Sequence, residues 1–372
     1  MAFSFDSLRR WPDIEAPELR AWDAADTLIL DESASARSEL RDGTLVVIED
    51  THGALTLAAA DAGASGIRTH QDSLTGERAL HTNAKRVGLE HVAVSKPLDA
   101  SLVAGARIVL LRLPRSLDAL RDIAGLIAAH AAPGVVVYAG GRIKHMTPAM
   151  NDVLREYFDR VDVTHARQKS RVLIACQPHD GADPRASLAV HSGMSVCAFG
   201  GVFAGTAIDI GTRFLLECLP DTVPGGSSAD PLIDMACGSG VVGATLALRH
   251  PDARVYASDQ SAAAVASATA TIEANGISSR VEVQRDDALS LRPDASASFI
   301  ALNPPFHAGA AIHDSIAPRM FEDAARVLRP GGELWTVWNT SLAYRSALER
   351  IVGPTRQIGR NTKFTVTRSV RR

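Results

Sequence analysis

Leu232-Ile233-Asp234-Met235-Ala236-Cys237-Gly238-Ser239-Gly240-Val241-Val242-Gly243 reads as a short buried strand, a glycine turn and the start of a helix. Glycines let the backbone turn tightly and approach a ligand closely, with the N-terminus of the helix facing it. Outward from this stretch, β-branched runs alternate with Ala-rich helical segments. PLIDMA (231–236), RVYASD (254–259), RVEV (280–283), SFIALN (298–303) and ELWTVW (333–338) read as strands, and so do LVVIED (45–50), RIVLL (107–111), VVVYA (135–139) and RVLIA (171–175). Strands alternating with helices predict an α/β fold with a mostly parallel sheet covered on both faces.

The rhythm occurs twice. Leu45–Ala60 runs parallel to Leu232–Leu248, with Glu49 laid on Asp234 and Gly53 on Gly238. Asp72-Ser73 then falls on Asp259-Gln260, Leu113-Pro114 on Asn303-Pro304, and Pro133-Gly134 on Pro330-Gly331. Matches in one order across both halves predict a tandem duplication, with domains at 1–176 and 177–372. On this alignment the first copy has Leu55 and Ala58 for Gly240 and Gly243, and Leu113 for Asn303. It is expected to be a degenerate, non-catalytic partner. QPHDGADPRASLAVHSG (177–193) is polar and turn-rich, as suits a linker.

Composition sets bounds on function. The length of 372 residues suits two domains, and a hydrophobic fraction of 46% is ordinary for a globular chain. A net charge of -3 excludes a generally basic nucleic-acid binder, so any RNA contact would rest on local patches. Arg142-Ile143-Lys144-His145, Arg167–Arg171 and Arg360–Arg372 are candidates, although each taken alone reads better as a solvated surface. Cys176, Cys197, Cys218 and Cys237 are widely spaced, without a metal-ligand or disulfide pattern, so no metal is expected. No apolar signal core or bilayer-length run is present, and a soluble cytoplasmic protein, a monomer without membrane contact, is expected.

Glycine-rich turns of this kind also serve nicotinamide and flavin enzymes, so the loop by itself leaves a dehydrogenase open. Asp234 shifts the balance. An anionic pyrophosphate gains nothing from a carboxylate there, whereas the ammonium and sulfonium of S-adenosyl-L-methionine do. Asp259 ends the next strand, where a carboxylate can accept from both ribose hydroxyls. Asp287 lies where an adenine edge would be read, or else caps a turn before Ala288-Leu289; the two readings stand level.

Asn303-Pro304-Pro305-Phe306 follows the strand SFIAL, at the sheet edge where open α/β folds place ligands. Pro304 holds Asn303 extended, and Pro305 stiffens the loop. The Asn303 side-chain oxygen and the Pro304 carbonyl can then accept from one NH2 group, while Phe306 offers a face for a conjugated ring. Two acceptors on its hydrogens draw electron density back to a nitrogen whose lone pair is delocalised, and aim it at a methyl donor. His307 could line the same pocket, and Lys363 and Phe364 could meet RNA, but a solvated loop and alternating strand faces explain these as well.

DMACGSG with NPPFH resembles the rRNA guanine-N2 methyltransferases. Gly201-Val202-Phe203 with Ile208-Asp209-Ile210-Gly211-Thr212 is similar to the segment that precedes their cofactor strand and helps close over the methionine end. DTHGALTLA (50–58), RIVLLRLPRSLDAL (107–120) and ARQKSRVLIA (166–175) are similar to their degenerate N-terminal domain, and IVGPTRQIGRNTKF (351–364) looks more like the large-subunit enzymes. The resemblance implies two tandem Rossmann-like class I methyltransferase domains. It implies cofactor contacts at Asp234, Gly238, Gly240, Asp259 and Asp287, amine binding at Asn303 and Pro304, and stacking at Phe306. The implied substrate is ribosomal RNA or a ribosomal subunit precursor, 23S before 16S. Ala204 stands where the family often has Ser, and Met235-Ala236 replace a more usual Leu-Gly. Adenine-N6 or cytosine-N4 DNA methylation, protein-glutamine methylation and a non-catalytic ribosome-assembly module are the alternatives.

Overall fold

Four-residue strands with no exposed face lie at the centre of each half. β1 (Leu45–Ile48) and its later counterpart at Leu232–Met235 are buried at every position, as a parallel strand covered on both faces must be. The computed structural model describes residues 3–40, 42–305 and 310–372. It divides into two units, Met1–Arg185 with Phe199–Gly201, and Ala186–Ala198 with Val202–Arg372. The division thus follows Arg185 rather than Cys176, because a strand runs on to Pro178 and the Ala182 N–H bonds to Gly125 of a helix in the same unit.

In the first unit, α1 (Ala24–Ser38) precedes β1, then come α2 (Ala54–Asp61), β2 (Ile67–His70), α3 (Leu74–Val87), β3 (Ala93–Ser95), α4 (Ala100–Val103) and β4 (Ile108–Arg112). α5 (Leu117–His130), β5 (Val136–Arg142), α6 (Pro148–Arg155), β6 (Phe158–Val163) and β7 (Ser170–Pro178) complete it. Its sheet has the order β3-β2-β1-β4-β5-β7-β6.

The second unit opens with a hairpin of β8 (Ser187–His191) and β9 (Met194–Ala198), followed by α7 (Ile210–Cys218), β10 (Leu232–Met235), α8 (Val241–Arg249) and β11 (Val255–Asp259). α9 (Ala262–Ala274), β12 (Val281–Arg285), β13 (Ala297–Leu302), α10 (Ala310–Val327) and β14 (Leu328–Asn339) continue it, and α11 (Arg345–Ile351), β15 (Thr355–Arg360) and β16 (Phe364–Val370) close it. Its main sheet has the order β12-β11-β10-β13-β14-β16-β15. The order is that of the first unit, with β7 and β16 the antiparallel members beside β5 and β14.

Separate apolar clusters fill the two faces of each sheet. In the second unit Phe299 and Val337 pack on one side, and Ile300, Phe321 and Trp338 on the other, all but fully buried. Truncating a side chain such as Phe321 to Ala would cost about 3–5 kcal/mol. The polar stretch 177–193 is not wholly a linker, since Ser187–His191 form β8. Leu188 and Val190 lie two apart there and are both exposed.

The matching sheets correct the alignment of the copies. Ile48 pairs with His70 and Leu111, as Met235 pairs with Ser258 and Leu302. Val47, not Glu49, therefore holds the place of Asp234; Gln71, not Asp72, that of Asp259; and Arg112, not Leu113, that of Asn303. Gly53 corresponds to Gly240 rather than Gly238: each is the left-handed N-cap of the following helix, with φ 95° and 78°. Thr51 then stands for Gly238, and Leu55 and Thr56 for Val242 and Gly243.

Candidate active site

The carboxyl ends of β10, β11 and β13 share one edge of the second sheet, since Met235 is level with Ser258 and Leu302. The chain moves outward from β10 to β12 and returns to β13 on the other side, so this edge is the switch point where open sheets form ligand crevices. Asp234, Asp259 and Asn303 are brought to it by their strands.

Asp234 is 2% exposed, and its Oδ2 accepts the Gly243 N–H at 2.7 Å. Burial pushes its carboxyl up to about 7, the Gly243 bond pulls it back, and the charge of Asp259 adds to the rise. A Cβ at Gly243 would stand 3.2 Å from Asp234 Oδ2, so a bare backbone at 243 suits the close approach. The loop above is built on left-handed residues: Ala236 at φ 59°, Gly238 at 53° and Gly240 at 78°. At Gly240 a side chain would also meet Ala268 at 3.0 Å, which ties the glycine to packing as well as to conformation.

Asp259 holds the loop from the next strand. Its Oδ2 accepts the Gly238 N–H and its Oδ1 the Ser261 N–H, each at 3.0 Å. An ionised carboxylate has about four acceptor positions, so a role for Asp259 in fixing the loop is compatible with one toward a ligand hydroxyl. Asp287 is ion-paired with Arg319 of α10. The neighbouring Asp286, fully buried, accepts from the Leu291 N–H at 3.0 Å and the Ser290 hydroxyl at 2.5 Å and so helps to hold the turn.

Among the described residues, the Asn303 amide is held at one end only. Its Nδ2 donates to Thr212 Oγ1 at 2.9 Å and lies 3.4 Å from Asp209 Oδ2. Its Oδ1 is buried and has no hydrogen-bond partner among the described residues. A buried acceptor at the end of a central strand is a place where an N–H donor of a ligand would fit. Pro304 beside it is buried and Pro305 exposed. Phe306 and His307 lie outside the described residues. Phe364 packs against the second unit's core, and a Cβ at Gly211 would approach its ring to 3.1 Å. This explains Phe364 without RNA. Lys363 is exposed.

A cationic, phosphate-free nucleoside cofactor suits this edge: a glycine cradle, a buried carboxylate beneath it and a second carboxylate at the next strand. Among the described residues no group of His, Cys, Asp or Glu could hold a metal ion, and no helix is long and apolar enough to cross a membrane. The four cysteines are free. Sequence reasoning missed the contact of Asp209 and Thr212 with Asn303, although Asp209-Ile210-Gly211-Thr212 carries the signal of a helix N-cap.

Residues 193–368 match the methyltransferase small domain and residues 2–180 the RLMG N-terminal domain. A ribosomal RNA large subunit methyltransferase G of Streptomyces avermitilis is 36% identical, over 98% of this chain and 97% of its own length. The protein of that name from Shewanella amazonensis is 33% identical, over 98% and 96%. Among solved structures, the T. thermophilus 16S rRNA N2 methyltransferase in complex with AdoMet and guanosine aligns with a TM-score of 0.76 over 96% of this chain and 97% of that one. At 21% identity this shows a shared fold.

Proposed function

The chain belongs to the ribosomal RNA large subunit methyltransferase G family, and from that premise we propose that it methylates the exocyclic N2 of a guanine in ribosomal RNA, that of the large subunit. S-adenosyl-L-methionine, when bound, supplies an electrophilic methyl group. Gly238 and Gly240 would admit it closely to the backbone, Asp234 would favour its positive charge, Asp259 would accept from its ribose hydroxyls, and Asp287 would lie at the adenine edge. The observation that carries the reading is the buried Oδ1 of Asn303, which has no partner among the described residues.

An exocyclic amine conjugated with a purine is a poor nucleophile because its lone pair is delocalised. Asn303 Oδ1, joined by the Pro304 carbonyl, would hold the two amine hydrogens and orient the lone pair. Orientation rather than prior deprotonation is required, since the nitrogen sheds its proton after it becomes cationic. The guanine must leave its stack to reach this edge, and Phe306 would receive its flat face. The first unit, with Val47, Gln71 and Arg112 at the corresponding places, would serve as a scaffold that grips neighbouring RNA by shape and backbone. The groups proposed for cofactor and amine all come from one chain, so a monomer would suffice, acting in the cytoplasm where ribosomal RNA lies.

The test offers labelled S-adenosyl-L-methionine with naked large-subunit rRNA, naked small-subunit rRNA and each assembled subunit, all from cells lacking the enzyme. Label in N2-methylguanosine of the large-subunit RNA is expected. Label in small-subunit RNA alone would overturn the subunit assignment. Label only in DNA or in protein glutamine, in parallel reactions, would overturn the guanine.

A further inference from the structure

We infer that Asp209 and Thr212 are positioning residues that fix which end of the Asn303 amide faces the substrate. The inference rests on the proposed role of Asn303 and adds a device by which it is set. A side-chain amide is nearly symmetric in shape, and only its partners decide whether oxygen or NH2 points into a crevice. Here the partners sit on α7. Asp209 is its N-cap: Oδ2 accepts the Gly211 and Thr212 N–H groups at 2.9 and 3.2 Å, and faces Asn303 Nδ2 at 3.4 Å. Thr212 Oγ1 accepts from the same nitrogen at 2.9 Å. An ionised carboxylate only accepts, so the amide end that meets Asp209 must be the NH2. Turning the amide over would set oxygen against carboxylate and remove the acceptor from the crevice.

α7 is itself fixed. A Cβ at Gly211 would come within 2.9 Å of Asp209 Oδ2 and 3.1 Å of the Phe364 ring, so the first turn of the helix lies tight against β16. The contact with Asn303 therefore joins a strand end to a capped and packed helix start.

The other copy contains the same joint. Asp23 is the N-cap of α1, Asp26 stands three residues on, as Thr212 does from Asp209, and Arg112 takes the place of Asn303. Arg112 Nη1 donates to Asp23 Oδ1 and to Asp26 Oδ1, both at 2.9 Å, and its Nη2 to Asp23 Oδ2 at 3.2 Å. Donor and acceptors differ together: guanidinium with two carboxylates in one copy, amide with a carboxylate and a hydroxyl in the other. Arginine has no acceptor atom, so only the second copy turns an oxygen outward. The joint is shared, and the chemistry is what the second copy adds to it.

The alternative role for this segment is closure over the cofactor, and a kinetic split separates the two. Full-length Thr212→Val, Thr212→Ala, Thr212→Ser and Asp209→Asn are assayed for single-turnover methylation of unmodified large-subunit rRNA, with cofactor affinity by equilibrium dialysis. Thr212→Val is expected to lower the methyl-transfer rate by about 10- to 100-fold while cofactor affinity stays within about twofold, and Thr212→Ser to restore most of the rate. Asp209→Asn keeps an acceptor oxygen at the place of Oδ2 and should retain most of the rate, and Thr212→Ala, expected to be slowed like Thr212→Val, provides a second reading if Thr212→Val fails to fold. An unchanged rate in Thr212→Val, or a loss confined to cofactor affinity, overturns the inference. Should the folded Thr212→Val be slowed and Thr212→Ser not recover, the hydroxyl is not the operative group and the inference falls. Asn303→Ala separates the premise from the device: full activity there refutes the role of Asn303 itself, whatever Thr212 does.

Discussion

The two units build the same sheet and the same helix-start joint, yet one ends its fourth strand in Arg112 and the other meets that place with Asn303. Both keep a left-handed glycine as N-cap of the helix after the central strand, Gly53 and Gly240. Both also set a buried carboxylate beneath that helix start. Asp50 reaches it from the loop, accepting the Leu55 and Thr56 N–H groups, and Asp234 from the strand, accepting from Gly243. Scaffold features have thus persisted where residues proposed for ligand and substrate have not. A carboxylate that satisfies a helix N-terminus is retained for folding reasons whether or not a cofactor lies above it.

The largest expected effect breaks the comparison at the strand ends. Asn303→Ala should lower methyl transfer by roughly 100- to 1,000-fold, with cofactor affinity and the thermal transition little changed, as radiolabel incorporation and equilibrium dialysis would read. Arg112→Ala should instead act on stability. It strands Asp23 and the buried Asp26 without their cation, and the first unit should lose about 3 kcal/mol in denaturant titrations. A fall in cofactor affinity from Arg112→Ala, with the first unit still folded, would show that the copies are not divided in this way.

A third effect concerns pH and sharpens the difference between the two buried carboxylates. Burial pushes both Asp50 and Asp234 up to about 7. A carboxyl raised in the folded state favours its protonated form there. Each should therefore make stability decline as pH rises from about 4 through about 7, with no further change above. Asp50→Asn and Asp234→Asn should each remove part of that slope. Only Asp234 should also govern cofactor binding: its ionised form favours a cation, so the dissociation constant should climb by up to about tenfold per pH unit below 7. Titrations of cofactor binding at stepped pH, repeated on Asp234→Asn, would find a flat and weakened profile. An unaltered profile in that variant would leave Asp234 with a purely structural part.

The smallest effect lies at paired left-handed positions. Ala236 at φ 59° and Glu49 at φ 63° occupy equivalent places after the central strands. Ala236→Gly should raise stability by about 1 kcal/mol by relieving Cβ strain. Glu49→Gly should gain less, because Glu49 Oε1 accepts the Asp72 N–H at 2.9 Å and that bond would go. Melting temperatures of the two variants side by side would show the contrast.

Much of this was legible in the sequence because residue type carried it. Glycines at 238 and 240, a proline after Asn303 and alternating strands and helices each have few physical explanations. The alignment of the copies was less legible, since adjacent residues compete for one place. Glu49 and Asp50 are both carboxylates, and only the pairing of Ile48 with His70 and Leu111 shows that neither sits at the position of Asp234. Asp286 and Asp287 pose the same difficulty: Asp286 accepts the Leu291 N–H and Asp287 pairs with Arg319, a difference that two adjacent carboxylates do not reveal. β8 was hidden because just two large apolar residues, Leu188 and Val190, stand in a polar stretch. The tie between Thr212 and Asn303 spans 91 positions, beyond any local pattern.

The joint at the start of α1 and α7 has a consequence for protein engineering. Each copy accepts a different long polar side chain at the same strand end, provided that the N-cap and the residue three positions on are chosen to match. That makes the strand end a socket with interchangeable inserts. Asp23 already matches Asp209, so Asp26→Thr with Arg112→Asn would set an amide at that strand end of the first unit.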